Sequence, residues 1–114
     1  MSLQRPIADE YNPYFQRYLD LVPEGNFENL FNDHTRELTE ALKEIPADKE
    51  EFAYASGKWT VKQLVQHVSD TDRIFSYRAL VAARGDTQTM LFSMDENQYA
   101  ANADVKSRNL SVFV

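Results

Sequence analysis

The fold is decided by residues 58–70, which read KWTVKQLVQHVSD. Thr60 is a favoured N-cap residue, because its hydroxyl can accept a hydrogen bond from a free backbone N–H of the first helical turn. The apolar residues that follow recur every three or four positions, as on one face of an α-helix. The pattern continues to about Arg84, and Gly85 is a typical residue after a helix end. We therefore predict one helix of roughly 36 Å, long enough to be the spine of a bundle.

Two neighbouring stripes run along this predicted helix. One contains Val61, Leu64, Val65, Val68, Phe75, Ala79 and Ala82. The other contains Thr60, Leu64, His67, Thr71, Ile74, Arg78 and Val81. A face of that width predicts contact with two or more neighbouring helices. Arg78 would bring a charge near the interior, so it needs a partner, and Asp70 and Asp95 are the candidates.

Two further helices are predicted before this one. Residues 11–22 start with Asn12 as cap and Pro13 at the first helical position. Residues 27–45 carry apolar side chains at helical spacing between Asn26, a good cap, and Pro46, which stops the helix. Residues 47–59 read as a connecting segment whose aromatic side chains close one end of the core.

A last helix is predicted after a loop at residues 86–94. Asp95 caps it, and its pattern continues to Val114 without a stop signal. Its buried side is expected to contain Tyr99, Ala103, Leu110 and Phe113. The sequence thus predicts an all-α chain that forms a single domain over residues 1–114.

Composition narrows the range of functions. The net charge is −6, with 18 acidic and 12 basic residues, which disfavours binding to nucleic acid or to an anionic membrane. The absence of cysteine excludes thiolate catalysis and disulfides. No apolar run is long enough to span a membrane and no secretory signal is present, so a cytoplasmic location is expected.

The two histidines, His34 and His67, both lie on apolar stripes. His67 is either a metal ligand or a structural histidine bonded inside the core. A ligand needs a second group that holds its ring, and Asp70, three residues on, is a candidate. If the two helices pack antiparallel, His34 and His67 differ by only about 6 Å in height, so both could belong to one metal site. Trp59 is typical of a hydrophobic staple, and Tyr54, Tyr77 and Tyr99 either line a pocket mouth or pack in the core.

Most of the chain resembles the DinB-like (YfiT-like) family of metal-dependent enzymes. The resemblance rests on KWTVKQLVQHVSDTDRIFSYRALVAARGD, on FSMDENQYA after it, and on FENLFNDHTRELTEALKEI and FAYASGKW before it. It implies an antiparallel four-helix bundle that is commonly dimeric. In the family, a divalent metal, often nickel or zinc, is held by three histidines. His67 matches the ligand on the second main helix, and the other two ligands form a His-x-x-x-His pair on the last helix.

The sequence departs from that pattern, since it contains no His-x-x-x-His. The last helix of the bundle is therefore expected to be missing from this chain, and the metal site to be incomplete or absent. Two functions remain open. One is a metal-dependent hydrolase or thiol-dependent transferase of small molecules, with the other ligands beyond Val114 or in a second chain. The alternative is a non-catalytic helical module, whose exposed apolar seam forms a homodimer or binds a partner helix.

Overall fold

The computed structural model of the chain describes residues 3–112, which are helical and contain no strand. The α-helices are α1 (Gln16–Leu19), α2 (Phe27–Lys43), α3 (Val61–Ala83) and α4 (Glu96–Asn102). Short 3₁₀ helices cover Ala8–Glu10, Pro13–Phe15, Ala47–Lys49 and Leu110–Val112. The predicted all-α class is confirmed. No helix in residues 3–112 is long and apolar enough to cross a membrane.

The chain divides into two compact units, Met1–Ala41 and Leu42–Val114. The prediction of one domain over residues 1–114 stays a prediction. The candidate site lies in the second unit, which contains α3 and α4.

The first unit begins where the sequence predicts. The Asn12 side chain accepts a hydrogen bond from the backbone N–H of Tyr14 at 2.9 Å, with Pro13 at the first helical position. The α-helical part is shorter than predicted, because α1 ends at Leu19 and the chain continues in turns to Val22. Asn26 caps α2 by accepting a bond from Asn29 N–H at 3.1 Å. The N-terminal half of the predicted apolar face of α2 is exposed in part, notably at Phe27, Phe31 and His34.

In the second unit, α3 agrees closely with the sequence prediction. The Thr60 hydroxyl accepts a bond from Gln63 N–H at 3.2 Å, and the Gln63 side chain accepts one from Thr60 N–H at 2.9 Å. This reciprocal pair is a capping box. At the other end, Gly85 has φ +64° and donates to Ala82 O, while Asp86 N–H donates to Val81 O. These two bonds form a Schellman motif, which requires the left-handed conformation that glycine adopts without strain.

The core of the second unit joins α3, α4 and the segment that follows α4. Its buried apolar residues are Val65, Ala100, Val105 and Leu110. α3 packs against α4, and the Gln63 side chain donates to Ala100 O at 3.3 Å. The first apolar stripe of α3 is less buried than predicted, since Leu64, Val68 and Phe75 are exposed.

A cluster of charged side chains, in part buried, links the segments of this core. The Lys62 ammonium lies 3.4 Å from Glu50 Oε2 and 3.0 Å from Glu51 Oε1. Glu50 Oε1 also accepts a bond from Leu110 N–H at 3.3 Å. Lys62 and Glu50 are buried, whereas Glu51 is exposed. The cluster therefore connects three segments that are far apart in the sequence.

The prediction of a continuous last helix is wrong. Asp95 does cap α4, but the helix ends at Asn102, and Ala103 is extended with ψ 122°. The residues that follow offer local alternatives to helical bonds, because Val105 N–H donates to Ala103 O and the Ser107 hydroxyl donates to Asp104. Such polar side chains compete with helix formation. Tyr99, predicted to be buried, is 48% exposed, and Phe113 lies outside the described residues.

Arg78 has a different partner from the two that were predicted. Its guanidinium donates to the backbone oxygen of Phe92 at 2.6 Å and lies over the Phe75 ring. Asp70 instead pairs with Arg73, and Asp95 caps α4. This bond connects Arg78 to the loop after α3. The carbonyl oxygen accepts from part of the guanidinium, which lies at a half-buried position.

Candidate functional site

His67 lies in the first half of α3, on the side that faces Trp59. Its ring centroid is 4.9 Å from the Trp59 ring, with the two planes at 46°. Nε2 lies 3.4 Å from the Thr71 hydroxyl oxygen, one helical turn further on. Nδ1 is buried and has no hydrogen-bond partner among residues 3–112. The ring is therefore held on one side and on one nitrogen, and its other nitrogen is unsatisfied.

The group that holds the His67 ring is Thr71 rather than Asp70. The Asp70 carboxylate accepts a bond from the Gln66 amide at 2.8 Å and pairs with Arg73 at 3.3 Å. On a helix, the residues three and four positions after a given residue both lie near its face, and the one four positions on is the closer of the two to that face. Both Asp70 and Thr71 have a suitable spacing in the sequence, so the sequence alone does not show which of them contacts the His67 ring.

His34 lies on α2, in the first unit, and is exposed. It borders a surface cavity together with Phe27, Phe31 and Glu37. The shared site of His34 and His67 stays a prediction. Within the described chain, no group of three histidine, aspartate or glutamate side chains is arranged to hold a metal ion.

The donor atoms around His67 match one part of a nickel or zinc site. An imidazole nitrogen is a favoured ligand of both metals, and the buried Nδ1 atom of His67 offers one beside the Trp59 ring. A catalytic zinc site takes three protein ligands. The described residues offer one such donor, the imidazole of His67, so they do not fit a complete metal site.

A second feature also includes Trp59. A cleft of about 410 Å³ opens between the loop before α3 and the start of α4. Its walls are three aromatic rings, those of Phe52, Tyr54 and Trp59, and it also contains Lys58 and Asn97. Tyr54 was predicted at a pocket mouth and lines this cleft, whereas Tyr77 and Tyr99 do not. Sequence reasoning missed Lys58 and Asn97, since nothing in the pattern indicates that α4 meets this loop.

The loop that forms the cleft is closed by backbone hydrogen bonds at its base. Val61 N–H donates to Phe52 O at 3.0 Å, and Lys62 N–H donates to Glu50 O at 3.1 Å. At its tip, Lys58 N–H donates to Ala55 O and Gly57 adopts φ +73°. A compact loop with its ends held together is an Ω-loop, and such loops often carry function.

Comparison with known proteins places this helical chain in a family. A family model described as the DinB superfamily matches residues 30–109. The chain belongs to the DinB superfamily. The match includes both histidines, all of α3 and α4, and the Ω-loop, and it confirms the family assignment made from the sequence. No curated protein and no solved structure matched the chain.

Proteins of the DinB superfamily have a helical-bundle fold, and the all-helical structure of this chain agrees with it. Members of the superfamily often bind a metal ion. In this DinB chain, His67 is the histidine on α3, the longest helix that the structure describes.

Proposed function

We propose that His67 is a ligand of a divalent metal, nickel or zinc, in a DinB-type enzyme that hydrolyses a small molecule or transfers a group from it to or from a thiol. The observation that carries the proposal is the buried Nδ1 atom of His67, which has no partner among the described residues. Buried polar atoms almost always have a partner, so an unsatisfied one points to a group that binds there.

The contacts of the other nitrogen support a ligand role. With the proton on Nε2, the ring donates to the Thr71 hydroxyl and leaves the lone pair of Nδ1 free. Histidine ligands typically use the second ring nitrogen to donate a hydrogen bond, which fixes the tautomer and the ring orientation. Trp59 restrains the same ring by packing on it. The ring is thus prepared for one additional bond at Nδ1.

The remaining ligands are proposed to come from residues beyond Val114 or from a second chain. When bound, such a metal would supply Lewis acidity toward a water or thiol. The part of this chain is to orient the imidazole and to shield it with Trp59.

The proposal is tested by titrating the protein with zinc and with nickel in a calorimeter, with His67→Ala beside the wild type. We expect His67→Ala to lower the affinity at least about tenfold, because an essential ligand is removed. His34→Ala is the matched control, since it removes the only other histidine, and its affinity should stay within about twofold of the wild type. Ring ¹⁵N shifts of His67 should show Nδ1 unprotonated and perturbed by zinc.

Equal metal affinity in His67→Ala and wild type would overturn the proposal. A protonated Nδ1 that zinc does not perturb would do the same, because that nitrogen could then not serve as the ligand.

A second candidate function, a non-catalytic helical module, is favoured by the exposed apolar stripe of α3. Val68 is 45% exposed and Phe75, two turns further on, is 54% exposed. Apolar side chains exposed along one helix face are typical of an interaction surface. We propose a second copy of this chain as the partner, which would form the homodimer expected from the family resemblance.

Light scattering over a range of protein concentrations tests the homodimer. We expect a dimer for the wild type and a monomer for Val68→Glu, because a carboxylate in an apolar interface loses its hydration without gaining a partner. Tyr77→Glu is the control, since Tyr77 is also exposed but lies on another side of α3. A wild-type monomer at all concentrations would contradict this function, and it would also exclude a second copy of the chain as the source of the other metal ligands.

A further inference from the structure

We propose that the cleft between the Ω-loop and α4 is a binding site for a small aromatic carboxylate. The site is formed by Phe52, Tyr54, Trp59, Lys58 and Asn97, all within the second unit. It takes a different ligand from the metal proposal, because none of these side chains is a proposed metal ligand, and the two sites share only the Trp59 ring, which packs on His67.

The charge of the cleft favours an anion. The chain has a net charge of −6, yet the cleft contains one lysine and no aspartate or glutamate. Lys58 forms no ion pair within the described chain, and its ammonium lies 5.9 Å from the centre of the Tyr54 ring. A cation over an aromatic face is held by the ring quadrupole. Lys58 is therefore positioned at the cleft with its charge available to a ligand.

The first N–H groups of α3 do not offer a site for an anion. The first N–H groups of α3 are already used, since Val61 donates to Phe52 O and Lys62 to Glu50 O. Gln63 N–H donates to the Thr60 hydroxyl. We therefore expect side chains to recognise a carboxylate in the cleft, Lys58 through its charge and Asn97 through a hydrogen bond from its amide.

The walls of the cleft favour an aromatic ring. Three aromatic side chains and Leu64 line a volume of about 410 Å³, within the range of roughly 300–1,000 Å³ that is usual for small-ligand sites. Aromatic rings pack well against one another in offset or edge-to-face geometry. The hydrogen bonds at the base of the Ω-loop hold its backbone in place, so little ordering of the backbone is needed on binding.

Phenylacetate, with phenylacetamide as its neutral counterpart, is the probe that tests this site. Trp59 is the only tryptophan, so its fluorescence and its indole N–H resonance report on the cleft directly. We expect phenylacetate to perturb both signals and to bind about two- to fivefold more tightly than phenylacetamide, as befits one exposed ion pair. In Lys58→Met the two probes should bind equally.

Lys49→Met is the matched control, because Lys49 is an exposed lysine that does not line the cleft. It should keep the preference for phenylacetate. The proposal is overturned if neither probe perturbs Trp59, if the two bind wild type equally, or if Lys49→Met abolishes the preference as Lys58→Met does. Lys58→Met should bind zinc as the wild type does, so a failure of the metal proposal and a failure of this one give different results.

Discussion

Replacing Lys62 by methionine is expected to lower the melting temperature of the chain by on the order of 10 °C. Lys62 is 6% exposed and its ammonium is the counter-ion of the buried Glu50 carboxylate. Without it, the carboxylate keeps only the bond from Leu110 N–H, and a buried charge without its counter-ion is strongly destabilising. Thermal unfolding followed by circular dichroism measures the change.

The two glutamates provide the control. Glu51 makes the shorter contact to Lys62 and its hydrogen bond is the main reason that the pKa of Lys62 is raised. Glu51 is nevertheless exposed, so solvent screens its pairing, and Glu51→Gln should change the melting temperature far less. The double variant Lys62→Met with Glu50→Leu should recover part of the loss, since no charge is then left buried. Equal losses in Lys62→Met and Glu51→Gln would show that the buried pair has no special role.

The pH dependence of the same variant has a definite sign. The pKa of Lys62 is raised above its ordinary value of 10.5, mainly by the hydrogen bond that its ammonium donates to Glu51, while burial opposes the shift. A raised lysine pKa stabilises the folded state below the ordinary value, and this contribution is lost as the pH rises through the folded-state value. The difference in melting temperature between wild type and Lys62→Met should thus be constant from about pH 6 up to the ordinary lysine value of 10.5 and shrink only above it.

The parts of the fold that could be predicted from the sequence are those specified by neighbouring residues. Thr60 and Gln63 form the capping box, and Gly85 ends α3, within one turn of the residues they serve. The ion cluster could not be predicted, because it joins Glu50 to Leu110 across 60 residues. Glu50 reads in the sequence as one charge among several in a connecting segment, and only the fold buries it.

The candidate site divides in the same way. The stripe of α3 predicts that His67 points inward, and the structure finds its Nδ1 atom buried. The choice of Thr71 over Asp70 depends on side-chain direction, which sequence spacing leaves open. The cleft depends on Asn97 of α4 meeting the Ω-loop, a contact between distant segments that no local pattern indicates.

The second large effect is expected in the segment that follows α4. Leu110→Ala should lower the free energy of unfolding by about 2–5 kcal/mol. Leu110 is 3% exposed, so truncation leaves a cavity as well as losing apolar burial. Val112→Ala is the control, because Val112 is 65% exposed and should change stability by less than about 0.5 kcal/mol.

Val105→Ala distinguishes the observed fold from a continuous helix, in which Val105 would lie opposite Leu110 and Ala103. Because Val105 is buried here, we expect a loss of about 1–3 kcal/mol in urea unfolding. No loss at Val105 beside a large loss at Leu110 would favour the continuous helix instead.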